Sequence, residues 1–458
     1  MARLDNKVLF FTTSPRTPAK MIPEIGLLCD KFEGKPWNRI TQEQFIDELA
    51  ESSFFEGTGS PSDKAFSARD RINRAPKALG FIDLKPNIAL TDAGRALISG
   101  KRPQEIFLRQ LLKFQLPSPY HTENAKISGT FFVRPYLEVL RLIYDLEYLT
   151  FDELKIFAVQ ITDYHKYEEV KDKILNFRKD KELHRGQYKR FVNDVWANAV
   201  LEIHNDRIAE GRTRTRETRD ASINTFVKTQ KGNMRDYADA CFRYLRFTGL
   251  VSIAHKSRTI SIFDDKKRDV EFILANVNRN PVFVDDEDSY KAHLFDATTP
   301  ELYTDNVENI IDVILRMSEL TRRDLANYDI EALKDLRDNI VAQHKENVIH
   351  EQVAEIKSYA LYSEIIDTFN EIVSDEYYDA PLMFEYNTWR AMTMLDGGNI
   401  KGNFKFDDIG QPLSTASGNM PDIECDYEDF SLAVEVTLQS GPVSYTHLRA
   451  HETEADLV

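Results

Sequence analysis

A run of alternating residues near the end of the chain constrains the fold most. From Phe430 to Leu438, apolar residues alternate with Ser, Ala, Glu and Thr, which predicts a half-buried β-strand. Glu435 and Thr437 would share its polar face. Asp422 lies thirteen residues before Glu435, and the acidic segment Asp426 to Asp429 is suited to a turn between two strands. We therefore expect a β-hairpin that brings two carboxylates together, an arrangement that proteins use to hold Mg²⁺.

The charge of the chain is divided unevenly along its length. From Pro281 to Ser440 there are 11 Lys and Arg against 34 Asp and Glu, whereas the residues before Pro281 carry 47 bases against 38 acids. A basic front part joined to an acidic rear part indicates that the front part meets a polyanion. The alternative to polyanion binding is that these charges form ordinary solvated surface. The alternative to a metal site around Asp422 is a solvated acidic hairpin without a chemical role.

Length and composition describe a soluble globular protein of two to four domains. The chain has 458 residues, of which 42% are apolar and 29% charged. No apolar run reaches the length of a membrane span, and the start lacks a secretion signal, so we expect an intracellular protein with no membrane contact. The three cysteines lie far apart and give neither a disulfide framework nor a zinc spacing.

A helix, a second helix and a β-hairpin follow one another near the start, which is the order of a winged helix-turn-helix. The second helix is expected from Ser67 to Leu79, with Pro76 shortening or kinking it. Two short strands, Phe81 to Leu84 and Ile88 to Leu90, follow it. The second helix would expose residues suited to phosphates and base edges, namely Arg69, Arg71, Asn73, Arg74 and Lys77.

The same order recurs in the middle of the chain. Asn233 to Phe247 is an amphipathic pattern, and the strands Leu250 to Ala254 and Arg258 to Phe263 follow it around a basic tip. A basic arm rich in Arg and Thr precedes the helix, and a solvated loop is its alternative interpretation. Two winged helices in a basic region predict duplex DNA as the partner. The contacts expected here are Arg212, Arg214, Arg216, Arg219, Lys228, Lys231, Lys256 and Arg258.

A further acid stands on an apolar helix face. In the helix that Pro381 opens, Glu385 shares a face with Trp389 and Met392. A carboxylate there is costly unless it is paired or bound to a metal. Alternatively, Glu385 lies at the edge of the face in water, or it pairs with Arg390.

Taken together, the chain resembles the AlwI-type family of type IIS restriction and nicking endonucleases. The resemblance spans nearly the whole chain in the right order. It rests on Phe10 to Arg16, Leu79 to Ile82 with Leu90 to Arg95, Leu112 to Pro119, Phe384 to Arg390, and Pro421-Asp422 with Glu435-Val436-Thr437.

The resemblance implies a multidomain protein, mostly α with small β, that joins winged-helix recognition to a C-terminal α/β PD-(D/E)XK nuclease domain. Such enzymes read a short asymmetric DNA site and cut one or both strands beside it. We expect two recognition subdomains (1–130 and 131–280), an acidic linker with helices (281–345), a nuclease domain (346–440) that is truncated, and a tail (441–458).

The resemblance also assigns roles within the nuclease domain. Asp422 and Glu435 become the metal-binding carboxylates, and Glu385 completes or supports the site. Thr437 stands where the general motif has Lys, a departure that the family shares. The implied reaction is Mg²⁺-dependent phosphodiester hydrolysis that leaves a 5′-phosphate. The implied partners are double-stranded DNA, a second nuclease subunit or a transient dimer through the cleavage domain, and a DNA methyltransferase as genetic partner. The implied location is the cytoplasm of a prokaryote.

The end of the chain departs from the family pattern. After Gly441 the residues resemble translated sequencing-adapter sequence and lack the helix and the Arg-His end that complete the active site in the family. We therefore expect the tail to be artefactual and the chain as written to be inactive in cutting. The alternative function is a non-catalytic winged-helix DNA-binding regulator whose acidic C-terminal half serves dimerisation.

Overall fold

The structure is a computed structural model that describes residues 2–4, 7–55, 61–123, 131–215, 217–374, 376–395, 397–416 and 420–438. The tail from 441 to 458 and Arg216 lie outside the described residues. The described chain is mostly helical with small sheets, as expected. It divides into two compact units. The first comprises Met1–Ile46, Pro61–Ala254 and Arg258–Asn309, and the second Asp47–Ser60, His255–Ser257 and Ile310–Val458. The finer domain boundaries stay a prediction.

The first unit contains most of the helices. In chain order they are α1 (Met21–Phe32), α2 (Arg39–Glu51), α3 (Lys64–Ile72), α4 (Ala75–Ala78), α5 (Asp92–Ile98), α6 (Pro103–Lys113), α7 (Pro135–Asp145), α8 (Phe151–Ile156), α9 (Tyr167–Leu183), α10 (Tyr188–Ile203), α11 (Asn205–Ala209), α12 (Ile223–Phe247), α13 (Lys267–Asn276) and α14 (Glu287–Phe295). The last residues of α2 group with the second unit.

The strands of the first unit form three small sheets. Their bounds are β1 (Ala2–Leu4), β2 (Ile82–Asp83), β3 (Ala89–Leu90), β4 (His121–Glu123), β5 (Tyr148–Thr150), β6 (Val251–Ala254) and β7 (Thr259–Ile262). β1 pairs with β4, β2 pairs with β3, and the third sheet has the order β5-β7-β6. The two hairpins β2–β3 and β6–β7 are antiparallel, as the sequence predicts. The sequence pattern gave no sign of β5.

The first predicted recognition helix is two helices. Asp63 caps α3 by accepting a hydrogen bond from the backbone N–H of Phe66 (2.8 Å), so the helix starts earlier than Ser67. It ends at Ile72, and α4 begins at Ala75. Pro76 explains the break, since it lacks an N–H and its ring clashes with the carbonyl four residues back.

The second predicted recognition helix is longer than its amphipathic pattern suggests. α12 begins at Ile223, ten residues before Asn233. Ser222 caps this start by accepting a hydrogen bond from the N–H of Thr225. Lys228 and Lys231 therefore lie on α12, so the segment expected to form a basic arm before Asn233 is helical from Ile223 onward. α12 packs against α8 and α10, and the hairpin β6–β7 follows it directly.

The second unit combines helices with a short sheet. It contains most of α15 (Val307–Met317), followed by α16 (Ile330–Lys357), α17 (Tyr362–Val373), α18 (Ala380–Leu395), β8 (Asn399–Gly402), β9 (Lys405–Phe406), β10 (Pro412–Ser414), β11 (Ile423–Asp426) and β12 (Ser431–Val434). One sheet has the order β12-β11-β8, and β9 pairs with β10.

α18 lies at the centre of the second unit, packed against α16, α17 and β8. Trp389 and Tyr386 on α18 contact the rings of Phe404 and Phe406. The inward residues of β11, including the fully buried Ile423, belong to the same core. This core holds the hairpin β11–β12 against the helix that carries Glu385.

Candidate active site and DNA-contacting residues

The acidic segment forms the turn that the sequence predicts. β11 and β12 pair antiparallel with Ile423 opposite Val434, and the N–H of Tyr427 donates to the carbonyl of Phe430 (2.9 Å) to close the turn. By this register, Asp422 faces Glu435 just beyond the last ladder pair. The predicted juxtaposition of these two positions across the hairpin is therefore present.

Asp422 is fixed through both its side chain and its backbone. Its Oδ2 accepts a hydrogen bond from the N–H of Val436 (2.7 Å), and its carbonyl accepts one from the N–H of Asn403 (2.9 Å). Burial raises the pKa of Asp422, and the bond from Val436 partly offsets that effect. A half-buried carboxyl group beside a second acid favours a bound cation, because the cation would compensate the lost hydration.

Glu385 reaches the same region from α18. Its side chain is buried at 6% exposure, and its Oε2 accepts a hydrogen bond from the N–H of Ala416 (3.2 Å). Burial raises the pKa of Glu385 to about 8, and the negative charges of Asp422, Asp379 and Glu435 add to the increase. The charges of Asp422 and Glu435 therefore act on Glu385 from the hairpin.

The two alternatives for Glu385 do not hold. Its low exposure excludes a place at a water-covered edge. Arg390 donates instead to Glu364 (2.9 Å) and to the side-chain oxygen of Asn387 (3.2 Å). Asp379, which the sequence pattern did not mark, precedes α18 with φ +56°, a conformation uncommon outside glycine.

The strand predicted from Phe430 to Leu438 is shorter and less buried than expected. β12 ends at Val434, and Phe430, Leu432 and Leu438 are 56%, 43% and 40% exposed. The expectation of one half-buried strand through Leu438 was wrong, because β12 is an edge strand and only Val434 and Val436 pack against the core. Glu435 and Thr437 lie beyond its end and are exposed.

The donor set at the hairpin suits a hard divalent cation, though it is not assembled as a complete cage. Asp422, Glu435 and Glu385 offer carboxylate oxygens, the ligands that Mg²⁺ prefers, and burial raises the pKa values of Asp422 and Glu385. In the part of the chain that the structure describes, no three His, Cys, Asp or Glu residues are grouped closely enough to hold one ion.

The residues predicted on the first recognition helix make contacts within the protein. Arg69 donates to Gln42 (2.8 Å), Arg71 pairs with the buried Glu24, and Asn73 accepts from Trp37 (2.7 Å). Arg74 contacts Asp70 and Thr13, and Lys77 lies over the ring of Tyr120. Asn73 and Arg74 are exposed, while Arg71 and Lys77 are half-buried. Burial also lowers the pKa of Lys77.

The basic residues predicted to contact DNA around the second winged helix are more exposed than those around the first. Arg212, Arg214, Arg219 and Lys228 lie at the surface, and Arg212 pairs with Glu210. Lys231 lies over the ring of Trp196 and donates to Asn193. In the turn between β6 and β7, Lys256 pairs with Glu371 while its side chain stays 61% exposed, and Arg258 is half-buried with φ +53°.

Sequence comparison identifies the family. Residues 77–444 match the family model of the AlwI restriction endonuclease, a range that includes α18 and the hairpin β11–β12. The chain belongs to the AlwI restriction endonuclease family. As an AlwI family member it is a site-specific nuclease that acts on double-stranded DNA, which favours the nuclease over a non-catalytic regulator.

One further comparison and one structural property of this AlwI family member bear on its assignment. No curated protein matches the chain. Among the described residues, no helix combines the length and apolar character needed to cross a bilayer. Restriction endonucleases generally use divalent metal ions, which agrees with the carboxylate chemistry at the hairpin.

Proposed function

We propose that this chain is a type IIS restriction endonuclease that uses Mg²⁺ to hydrolyse duplex DNA beside a short asymmetric site, on one strand or both. The observation that carries the proposal is the hairpin register that sets Asp422 opposite Glu435, with the buried Glu385 close enough for their charges to raise its pKa. This group of acids lies inside the range that matches the family. In this proposal residues 346–440, within the second unit, form a PD-(D/E)XK nuclease domain.

Each acid would have a distinct role. Asp422 and Glu435 would hold Mg²⁺, which lowers the pKa of a bound water and neutralises phosphate charge. The N–H of Val436 orients the Asp422 carboxylate through Oδ2. Glu385, with its pKa of about 8, holds a proton at neutral pH while no cation is present, and it supports the site from the core side. The Thr437 hydroxyl adds no charge.

The reaction would be a direct hydrolysis. A water oxygen forms a bond to phosphorus while the bond from phosphorus to the 3′ oxygen breaks. The 3′ oxygen ends with a proton from that water, which leaves a 5′-phosphate and a 3′-hydroxyl. No covalent protein intermediate is needed, so the chain acts by positioning and by electrostatics.

The first unit would bind the DNA through two winged helices. Two features support this assignment: α2, α3 and the hairpin β2–β3 follow in that order, and α12 precedes the hairpin of the three-stranded sheet β5-β7-β6. In the second case α9, α10 and α11 form an insertion between α8 and α12. We infer that α12 enters the major groove and that the exposed basic residues around it contact phosphates.

Replacing Lys228 on α12 by Gln should weaken DNA binding equally for all sequences, because an exposed ammonium contacts phosphate rather than bases. The slope of log affinity against log salt should fall by about one unit. Fluorescence anisotropy with a 30-bp duplex, at several salt concentrations, measures both quantities.

Lys173→Gln provides the matched control for Lys228. Lys173 also lies on a helix of the first unit, where it pairs with Glu169 four residues earlier. Its replacement should leave the salt slope unchanged. If both variants lose affinity to the same extent, α12 has no special place in the DNA interface.

The nuclease assignment itself is tested with supercoiled plasmid DNA, which contains many copies of any short site. If the expectation that the chain as written is inactive in cutting does not hold, incubation with Mg²⁺ gives nicked or linear products with 5′-phosphate ends; if it holds, the plasmid stays supercoiled. In parallel, Mn²⁺ should bind the free chain in calorimetry. A chain that neither cuts DNA nor binds Mn²⁺ would overturn the proposed metal site.

A further inference from the structure

The sheet of the second unit has a polar face opposite its core. Side chains alternate along β11, so Ile423 and Cys425 enter the core while Glu424 points to the other face. On the neighbouring strand β8, Lys401 is the ladder partner of Glu424, and its side chain is 60% exposed. By this register Lys401 lies one strand away from Asp422 and two residues along, on the face of the sheet that carries Asp422 and Glu435.

Lys401 is unusual in its surroundings. From Gly397 to Leu438 the sequence contains two bases, Lys401 and Lys405, against eight acids. Its Nζ lies 3.5 Å from Oε2 of Glu424, whose side chain is 36% exposed. An ion pair exposed to this degree contributes little stability, so a loss of function on replacing Lys401 would not come from unfolding.

A chain of hydrogen bonds connects this pair to Asp422. Oε1 of Glu424 accepts from Nδ2 of Asn403 (3.0 Å), and the same Nδ2 donates to the carbonyl of Pro421 (2.8 Å). The backbone N–H of Asn403 donates to the carbonyl of Asp422 (2.9 Å). Asn403 therefore ties Glu424, and through it Lys401, to the peptide that carries the Asp422 carboxylate.

We propose that Lys401 supplies the positive charge that Thr437 cannot, by donating a hydrogen bond to a non-bridging oxygen of the scissile phosphate. Glu424 acts as a positioning residue that holds the ammonium on the active-site side of β8. This inference rests on the proposed function. During hydrolysis Lys401 keeps its proton and stabilises charge on the phosphate oxygens, while water adds to phosphorus and the bond to the 3′ oxygen breaks.

Two measurements on the full chain test the role of Lys401. The first is the single-turnover rate of plasmid cleavage with Mg²⁺. The second is the gain in affinity that Ca²⁺ gives for a 30-bp duplex selected from a randomised pool, a readout that needs no cleavage. We compare Lys401→Gln and Lys401→Arg with Lys405→Gln as the matched control, because Lys405 is the other lysine of this segment.

Lys401→Gln should lower the cleavage rate on the order of a hundredfold, the effect of losing one charge-stabilising donor. It should also reduce the Ca²⁺-dependent gain in affinity while leaving binding in EDTA unchanged. Lys401→Arg should recover part of both effects, and Lys405→Gln should retain both.

The outcomes separate this inference from the function on which it rests. Asp422→Asn should remove both DNA cleavage and the gain in DNA affinity that Ca²⁺ gives. If it does so, and Lys401→Gln keeps each of these two activities that the unmodified chain shows, Lys401 has no catalytic role. If Asp422→Asn also retains them, or the parent shows neither, the proposed metal site is wrong and the inference falls with it.

Discussion

Replacing Asp422 by Asn should abolish DNA cleavage, with a loss of at least about a hundredfold, and should remove Mn²⁺ binding to the free chain. The asparagine oxygen can still accept the hydrogen bond that Val436 donates, so the hairpin should keep its shape. Because most of the exposed basic residues that we predict to contact DNA are on the first unit, DNA affinity in EDTA should stay within about twofold. Plasmid cleavage, calorimetry with Mn²⁺ and fluorescence anisotropy measure the three quantities.

Asp426→Asn is the matched control for this prediction. Asp426 lies at the other end of β11, where it accepts a hydrogen bond from the hydroxyl of Ser431 (2.8 Å). Its replacement should change neither cleavage nor Mn²⁺ binding. Glu435→Gln should act like Asp422→Asn. If DNA binding falls as far as cleavage does, the carboxylate supports the fold or the DNA interface and is no metal ligand.

Replacing Gly94 by Ala should destabilise the first unit strongly, by about 3 kcal/mol or more, although the change adds one methyl group. A Cβ at Gly94 would lie 2.0 Å from the carbonyl oxygen of Phe81 and 2.7 Å from Cδ1 of Leu90. A backbone oxygen cannot turn away as a flexible side chain can, so α5 and the hairpin β2–β3 would have to separate. Thermal unfolding followed by circular dichroism should show the loss.

Gly26→Ala tests whether the cause is steric. Gly26 also lies within a helix, α1, and a Cβ there would meet no atom within 4 Å. Alanine has the higher helix propensity, so this variant should gain up to about 1 kcal/mol. If both variants melt at the parent's temperature, the close packing of α5 against Phe81 is not present in solution.

Local patterns were sufficient to predict both hairpins of the first unit and the turn after β11. In each case a turn segment lies between two short apolar runs, and the pairing partners are close in sequence. The amphipathic pattern around Tyr237 predicted α12 but not its start, because the ten residues after Ser222 show weaker periodicity and depend on a cap and on packing against α10. The strand β5 was missed since its partner lies far along the chain.

The residues predicted to contact DNA show a different limit of prediction from sequence. Arg71 was expected to face DNA, yet it pairs with Glu24, which lies 47 positions earlier. Lys77 was also expected to face DNA, yet it lies over the ring of Tyr120, which is likewise distant in sequence. Residue type indicates what a side chain can bind, while long-range packing decides which partner it meets.

The three acids were easier to single out from the sequence than the residues that lie beside Asp422 on or just after the neighbouring strand. Asp422 and Glu435 followed from the strand pattern, and Glu385 from its apolar helix face. Asn403 and Lys401 carry no local motif, because their roles depend on the pairing of β8 with β11. A short polar residue between two strands becomes informative only when the register between those strands is known.

The insertion of α9 to α11 has a consequence for synthesis on the ribosome. Tyr148 in β5 pairs with Ser261 in β7, so the three-stranded sheet cannot close until the whole insertion and α12 have been made. At about 5–20 residues per second, the nascent chain waits for several seconds with β5 unpaired. Slower translation of the insertion would lengthen that interval, during which the buried Leu149 is open to misfolding or to capture by a chaperone.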